Sequence, residues 1–226
     1  MAKSKVKTAY VCQECGAEHA KWQGQCHTCG AWNSLSQVNI SPIAGATGAH
    51  NALGFAGATA EIKKLAEVEA LQTPRIGSGF AELDRVLGGG FVPGSVVLIG
   101  GDPGAGKSTL LLQACTKLAA KQGVLYVTGE ESLQQLALRA QRLKLPMDGL
   151  SVAAETRAEV IAGHIAEQRP QVVVLDSVQV LQMDGIDSTP GSVTQVRETA
   201  AFFTRLAKQQ DVVIILVGHI TKEGGL

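Results

Sequence analysis

The chain has 226 residues, of which 45% are hydrophobic and 18% charged, and its 20 basic side chains balance its 20 acidic ones. This length allows one sizeable domain and one small one, and the zero net charge provides no global field that would by itself favour nucleic acid. No apolar run approaches the roughly 20 residues that span a bilayer, and the lysines near the N-terminus precede no apolar signal segment, so we expect a cytoplasmic protein that is not bound to a membrane.

Four of the five cysteines lie in two Cys-x2-Cys pairs near the N-terminus. Each pair suits a tight turn that points two thiolates at one ion, and four thiolates complete the tetrahedral shell that Zn²⁺ takes in structural sites. In a cytoplasmic chain such clustering favours a metal over unligated or disulfide-bonded cysteines. We therefore predict a zinc module in residues 1–34 and expect His19 and His27 to be surface residues. The predicted zinc ligands are Cys12, Cys15, Cys26 and Cys29.

Residues 35–70 are predicted to be a linker. The stretch 41–50 is small, glycine-rich and without hydrophobic period, which is typical of flexible segments, and only residues 61–71 indicate a short helix. The pattern changes after this linker, and residues 71–226 are predicted to form the larger domain. This domain starts with an amphipathic helical segment over residues 80–87, which the three following glycines end.

From residue 96 onward, apolar β-type runs alternate with helical patterns. The predicted strands cover residues 96–99, 124–127, 172–175 and 212–217. They are continuous and β-branched rather than alternating, which is typical of strands covered on both faces. One helix is predicted from about residue 107 to 121, and three capping boxes mark further helix starts: Ser132 with Gln135, Thr156 with Glu159, and Ser192 with Gln195. The predicted fold is α/β, a parallel sheet with helices on both sides.

A phosphate-binding loop follows the first of these strands. Residues 101–108 read Gly-Asp-Pro-Gly-Ala-Gly-Lys-Ser, which matches the P-loop pattern and lies between a predicted strand and helix, as that pattern requires. Glycines let successive N–H groups converge on a phosphate, and the helix N-terminus adds a positive dipole end. We assign Lys107 to the β- and γ-phosphates of ATP, the Ser108 hydroxyl to Mg²⁺ and Thr109 to the α-phosphate. The predicted nucleotide-binding residues are Gly101, Asp102, Pro103, Gly104, Ala105, Gly106, Lys107, Ser108, Thr109 and Asp176.

Asp176 ends the run Val-Val-Val-Leu-Asp, which has the form of a Walker B segment whose carboxylate helps to hold Mg²⁺. The alternative is an Asp that caps a turn at the strand end. The next residue is Ser177, whereas many P-loop motors place a catalytic Glu there, so ATP hydrolysis would need a carboxylate from elsewhere. Glu130 and Glu131, at the end of the strand 124–127, face the edge where such sheets bind ligands.

We expect Glu130 to be the general base and favour it over Glu131 on geometry. The alternative is that both acids stabilise the N-terminus of the following helix. His219 ends the last predicted strand, where it is either a structural residue or a group that contacts the γ-phosphate. From the residues alone both interpretations of His219 stay open.

These motifs, in this order, resemble those of the RadA family of bacterial DNA repair proteins, also called Sms. The matching stretches are Val-Cys-Gln-Glu-Cys-Gly at 11–16, Cys-His-Thr-Cys-Gly-Ala-Trp-Asn-Ser at 26–34, Glu-Leu-Asp-Arg-Val-Leu-Gly-Gly-Gly at 82–90, the P-loop at 100–109, Val-Thr-Gly-Glu-Glu-Ser at 127–132, Leu-Asp-Ser-Val at 175–178 and Val-Gly-His-Ile-Thr-Lys-Glu-Gly at 217–224. They span nearly the whole chain apart from the linker.

The resemblance implies a RecA-like ATPase that binds single-stranded or branched DNA and drives branch migration in recombinational repair. It further implies homo-oligomeric rings in the full-length protein, and recombinase and replication proteins as partners. It also implies catalytic roles for Lys107, for Glu130 as the RecA-type glutamate, and for His219 as the sensor of the γ-phosphate.

Two features depart from the family pattern. Ala105 stands where the family has a larger apolar residue. The family also continues beyond residue 226 with the rest of the sheet, a Lys-Asn-Arg-Phe-Gly motif and a Lon-protease-like domain, so we expect a truncated form and infer no ring assembly from these residues. Two rival interpretations remain: a RecA-like, nucleotide-switched ATPase that binds protein partners, and a zinc module that acts alone as an adaptor for a helicase.

Overall fold

A computed structural model of the chain describes residues 7–12, 17–40, 64–67, 74–186 and 188–219. Two sheets are present in these ranges, one antiparallel with three strands and one parallel with five. Cys15 and most of the predicted linker lie outside the described residues. Of the helix expected at 61–71, the described part contains one 3₁₀ turn, Leu65–Glu67.

The antiparallel sheet is built from β1 (Lys7–Cys12), β2 (Glu18–His19) and β3 (Leu35–Ile40), in the order β2-β1-β3. Its small core consists of Cys12, Cys26 and Leu35. β3 begins where the composition predicted the linker, and it pairs along its whole length with β1. The cysteine module therefore extends past the predicted boundary at residue 34, because a polar strand takes its stability from a partner strand that local composition does not reveal.

The larger unit alternates helices and strands. Its elements are α1 (Ala81–Val86), β4 (Val96–Gly101), α2 (Lys107–Ala119), β5 (Val124–Thr128), α3 (Leu133–Arg142), β6 (Leu150–Ala154), α4 (Ala158–Gln168), β7 (Val172–Asp176), α5 (Val193–Gln210) and β8 (Val213–His219). The strand order is β4-β8-β7-β5-β6, and every pair is parallel. This confirms the predicted α/β class. β6 is a strand that the sequence analysis missed, because it is short and largely exposed at the sheet edge.

Helices cover both faces of the parallel sheet, as predicted. α2 and α3 pack on one face, through Leu111, Leu112, Cys115 and Leu136, against Tyr126, Val172, Val174 and Ile215. α4 and α5 pack on the other face, through Ile161, Ile165 and Phe203, against Leu125, Val173, Leu175 and Ile214. Alternate residues of one strand thus serve opposite cores, which explains why these strands are apolar throughout. No helix of the described ranges is long and apolar enough to cross a membrane.

Two of the predicted helix starts are confirmed. Ser132 accepts a hydrogen bond from the backbone N–H of Gln135, and the Gln135 side chain accepts one from the backbone N–H of Ser132, so the capping box of α3 is complete. Ser192 caps α5 in the same way. The second half of the predicted capping box differs, because the Gln195 side chain accepts its hydrogen bond from the backbone N–H of Met183 in the preceding loop.

The third predicted capping box, Thr156 with Glu159, is wrong. The residue before α4 is Arg157, and the Thr156 hydroxyl is engaged by Gln182, whose Nε2 donates to it at 3.3 Å. Glu155 instead accepts from the backbone N–H groups of Thr156 and Arg157. These bonds, with those from Arg157 the strongest, lower the pKa of Glu155 to about 2. Contacts with a neighbouring loop therefore determine where α4 begins, and the Ser/Thr-x-x-Glu pattern carries no information about those contacts.

Candidate active site and metal centre

The P-loop lies between β4 and α2, as predicted. Gly104 and Gly106 have φ angles of 81° and 85°, and a Cβ atom on either would meet nothing within 4 Å. Glycine is therefore required there for its left-handed backbone and not for space. Gly106 directly precedes α2, and no described side chain caps that helix. The N–H groups of its first turn, which includes Ser108 and Thr109, are thus in position for an anion.

Lys107 is folded back onto this loop. Its Nζ donates to the carbonyl oxygens of Gly101 and Asp102, both at 2.8 Å, and lies 3.4 Å from His219 Nδ1. The residue is only 9% exposed. Two carbonyl groups therefore hold a buried cation, and a phosphate would be a stronger partner for it because a full negative charge attracts the ammonium more strongly than a neutral carbonyl dipole does.

The three strands β5, β7 and β8 are neighbours in the sheet, and their carboxyl ends meet at the edge that carries the P-loop. Glu130 follows β5, Asp176 ends β7 and His219 ends β8. Ligands bind at this edge in open α/β sheets. The structure thus brings together predicted site residues that are far apart in the sequence.

Among the described residues, the side-chain contacts of Glu130 go through one oxygen. Its Oε1 accepts a hydrogen bond from the Ser177 hydroxyl and lies 3.3 Å from His219 Nε2. Since His219 also contacts Lys107, a continuous path of polar contacts runs from Ser177 through Glu130 and His219 to the P-loop lysine. The Glu130 side chain is 41% exposed, so solvent reaches it.

Glu131 has different surroundings from its neighbour. Its carboxylate forms an ion pair with Arg139 of α3, and its backbone N–H donates to Thr128 Oγ1 at 3.0 Å. The ion pair directs the Glu131 side chain toward the following helix, and neither contact involves Ser177 or His219, the partners of Glu130. The two adjacent acids therefore have different partners, which distinguishes Glu130 from Glu131. The sequence alone could not make this distinction.

Asp176 has a partner that the sequence analysis missed. The hydroxyl of Tyr126, on the neighbouring strand β5, donates to Asp176 Oδ2 at 2.5 Å. Burial raises the pKa of Tyr126 above its usual range, and the nearby Asp176 carboxylate raises it further, so the hydroxyl stays a donor. The Asp176 carboxylate and the Ser108 hydroxyl are oxygen donors of the kind that Mg²⁺ prefers. The donor chemistry at these two positions therefore fits a magnesium ion.

The cysteine module brings three predicted metal ligands together. The sulfur atoms of Cys12, Cys26 and Cys29 lie within 4.8 Å of one another, and those of Cys12 and Cys29 are 3.6 Å apart. A tetrahedral zinc site with Zn–S bonds of about 2.3 Å places its sulfurs roughly 3.8 Å apart. The fourth predicted ligand, Cys15, lies outside the described residues. The described sulfurs thus fit zinc in both chemistry and spacing.

Polar side chains surround these sulfurs, and the sequence analysis missed them. His19, expected on the surface, is half-buried with its Nε2 3.4 Å from Cys26 Sγ, whereas His27 is exposed as predicted. Gln23 Nε2 lies 2.7 Å from His19 Nδ1. When the Gln23 amide donates to Nδ1, the proton of the neutral imidazole is on Nε2, and this N–H can donate to the Cys26 sulfur. The His19 contact depends on the pairing of β2 with β1, which no local spacing signals.

Two family models match the chain. One, described as AAA domain, covers residues 63–225, and the other, described as Rubredoxin metal binding domain, covers residues 10–37. Among similar curated proteins, "DNA repair protein RadA" of Haemophilus influenzae is 55% identical over 221 residues, that of Escherichia coli 52% over 222, and that of Bacillus subtilis 43% over 227. These alignments cover 97–99% of this chain but 48–49% of the relatives, so the chain spans about half their length.

Proposed function

Because the chain belongs to the AAA domain family, we propose that it hydrolyses ATP at the strand ends described above and that it acts in DNA repair. The resemblance predicted from the motifs is confirmed by relatives named DNA repair protein RadA, which match 97% of the chain. The observation that carries the proposal is the path of polar contacts that links Ser177, Glu130 and His219 to the buried lysine of the P-loop.

Binding of the triphosphate is assigned to the P-loop. The backbone N–H groups of residues 104–109 surround the phosphates, and Lys107 exchanges its carbonyl partners for the β- and γ-phosphate oxygens. Ser108 and Asp176 would hold Mg²⁺, and the Tyr126 hydroxyl donates a hydrogen bond that fixes the Asp176 carboxylate. When bound, the ion neutralises negative charge on the phosphate oxygens.

Hydrolysis requires a water oxygen to attack the γ-phosphorus while the bond to the leaving ADP oxygen breaks. In our proposal the Glu130 carboxylate orients this water and accepts its proton. His219 contacts the γ-phosphate, which is consistent with its position 3.4 Å from the Lys107 ammonium. Glu131 is not free to serve in the same way, because its carboxylate is paired with Arg139.

The DNA repair part of the proposal rests on the names of the relatives, and its finer points rest on the family resemblance of the motifs. We propose single-stranded or branched DNA as the polymer on which ATP hydrolysis acts, branch migration in recombinational repair as the outcome, and recombinase and replication proteins as partners. A homo-oligomeric ring of the full-length protein and a cytoplasmic location belong to the same proposal. The zinc module, with Cys12, Cys15, Cys26 and Cys29 as ligands, is structural in this account because four thiolates leave no open coordination position.

Single-turnover hydrolysis, with protein in excess over ATP and with or without single-stranded DNA, tests this function. Glu130→Gln should bind ATP normally and hydrolyse it about 10²- to 10⁴-fold more slowly, since an amide cannot accept the proton. Glu131→Gln is the matched control and should stay within a few-fold of the parent chain.

A dead Glu131→Gln variant beside a normal Glu130→Gln variant would reverse the assignment of the base. If the unaltered chain bound ATP and released it without hydrolysis, with or without DNA, the ATPase proposal would be wrong. The nucleotide-switched, protein-binding interpretation would then account for the P-loop.

A further inference from the structure

Ser177 lies directly after the Walker B aspartate, where many P-loop motors have a catalytic glutamate and this chain has a serine instead. The residue is fully buried, with 0% of its surface exposed, and its Oγ donates a hydrogen bond to Glu130 Oε1. A buried hydroxyl without a partner is costly, so Ser177 requires an acceptor. It uses the half-exposed carboxylate proposed as the base.

The backbone keeps the two residues side by side. Thr128 of β5 pairs with Asp176 of β7 at the last register position of the two strands. One residue further on, the Gly129 N–H donates to the Asp176 carbonyl at 2.8 Å. Glu130 and Ser177 therefore lie just beyond the paired ends of β5 and β7, next to a backbone hydrogen bond that joins the two segments.

The hydrogen bond from Ser177 goes to one oxygen of the Glu130 carboxylate and leaves the second oxygen for other partners. Within the described part of the chain, the contacts of the Glu130 side chain with Ser177 and His219 both go to Oε1. Oε2 is then the oxygen available to accept a proton from water. A glutamate has three side-chain torsions and loses substantial rotamer freedom when it is ordered, so a rigid donor at the strand end holds the carboxylate in one orientation.

We propose that Ser177 is a positioning residue for Glu130: its buried hydroxyl fixes Oε1 and thereby presents Oε2 to the attacking water. The inference rests on the proposed role of Glu130 in hydrolysis. It also explains why this position carries a serine, since the carboxylate arrives from β5 and the residue after Asp176 supplies its anchor. A hydrogen bond to a charged group is strong enough for its loss to slow the chemical step roughly 10- to 100-fold.

A double-mutant cycle on the full chain tests the proposal. Single-turnover rates and ATP dissociation constants are measured for the parent, Ser177→Ala, Glu130→Gln and the combined variant. Ser177→Ala should slow hydrolysis roughly 10- to 100-fold while ATP affinity stays within about twofold. In the Glu130→Gln background the same change should have an effect below about twofold, because the group it positions no longer acts as a base. Ser177→Thr, which keeps the hydroxyl, should restore most of the rate.

Each outcome decides between roles. An equal loss of rate in both backgrounds would show that Ser177 acts through the fold, and so would a Ser177→Ala variant that has lost ATP binding. A normal rate for Ser177→Ala, beside a slow Glu130→Gln, would overturn the positioning role and leave the proposed function intact. A normal rate for Glu130→Gln would instead overturn the proposed base, and the positioning role with it.

Discussion

The cysteine module and the P-loop core solve the problem of stability in different ways. Among the described residues of the module, the buried core consists of Cys12, Cys26 and Leu35, which is too little apolar surface to hold a small unit together without further support. The P-loop core has an apolar cluster on each face of its sheet. In the module two of the proposed metal ligands, Cys12 and Cys26, therefore belong to the described core, whereas in the larger unit the site residues lie at strand ends outside the core.

This difference has a consequence for mutations. Removing a zinc ligand should unfold the module, because metal binding and folding are coupled in small zinc domains. Removing a site side chain from the P-loop core should remove function and spare the fold. The following predictions test this separation, from the largest expected effect to the smallest.

The largest effect is expected for Cys26→Ser. Loss of one thiolate should abolish stoichiometric zinc and unfold the module, since structural zinc contributes apparent binding energies of about 10–16 kcal/mol in small domains. ATP affinity should not change, because the P-loop core has its own apolar clusters. Metal analysis, together with amide exchange of residues 7–40, measures both effects. Cys115→Ser is the control and should keep one zinc per chain. A metal-free chain with a folded module would contradict the prediction.

Lys107→Ala should abolish productive ATP binding without affecting zinc content. Truncating a buried, charged hydrogen-bonding partner typically costs about 2–5 kcal/mol, or roughly 30- to 4,000-fold in the dissociation constant. Titration with a fluorescent ATP analogue gives the constant, and the thermal midpoint of unfolding should stay close to that of the parent. Unchanged ATP affinity and turnover would refute the P-loop assignment.

Cys115 should be far less reactive than the module cysteines. Burial raises the pKa of the Cys115 thiol to about 12, which lowers its thiolate fraction at neutral pH by about a thousandfold relative to an exposed thiol. A thiol reagent added with a zinc chelator should modify the module sulfurs rapidly, and Cys115 only in denaturant. Mass spectrometry of the labelled peptides distinguishes the sites. Fast labelling of Cys115 in the folded chain would show that the core opens more readily than its burial indicates.

The smallest effect concerns Gly129, which joins β5 to Glu130. A Cβ atom there would lie 2.4 Å from Val180 Cγ2, so Gly129→Ala must displace either the Val180 side chain or the turn that carries Glu130. We expect a destabilisation of about 1–3 kcal/mol, as for other overpacked sites, with a slower hydrolytic step. Gly163→Ala is the matched control: its Cβ would meet nothing within 4 Å, and an exposed helical alanine should stabilise by about 0.5–1 kcal/mol. Denaturant titration compares the two, and equal stabilities would contradict the packing argument.

Much of the fold was predictable because its signals are local. The β-branched runs gave four strands of the parallel sheet, and the Ser132 and Ser192 patterns marked the starts of α3 and α5. The strand β6 and the start of α4 escaped prediction. The first is short and exposed at an edge, and the second depends on Gln182, which engages the Thr156 hydroxyl from another loop.

The sequence by itself determined which chemical groups the site contains: a P-loop with its lysine, a strand-end aspartate, two candidate glutamates and a cluster of cysteines. Only the tertiary structure decided which of these groups meet. Ser177 reaches Glu130 and His219 reaches Lys107 because the sheet places β7 between β5 and β8 and sets β8 beside β4. Periodicity indicates how a segment folds, but the order of strands depends on long-range packing, and that order brings Ser177 and His219 to Glu130.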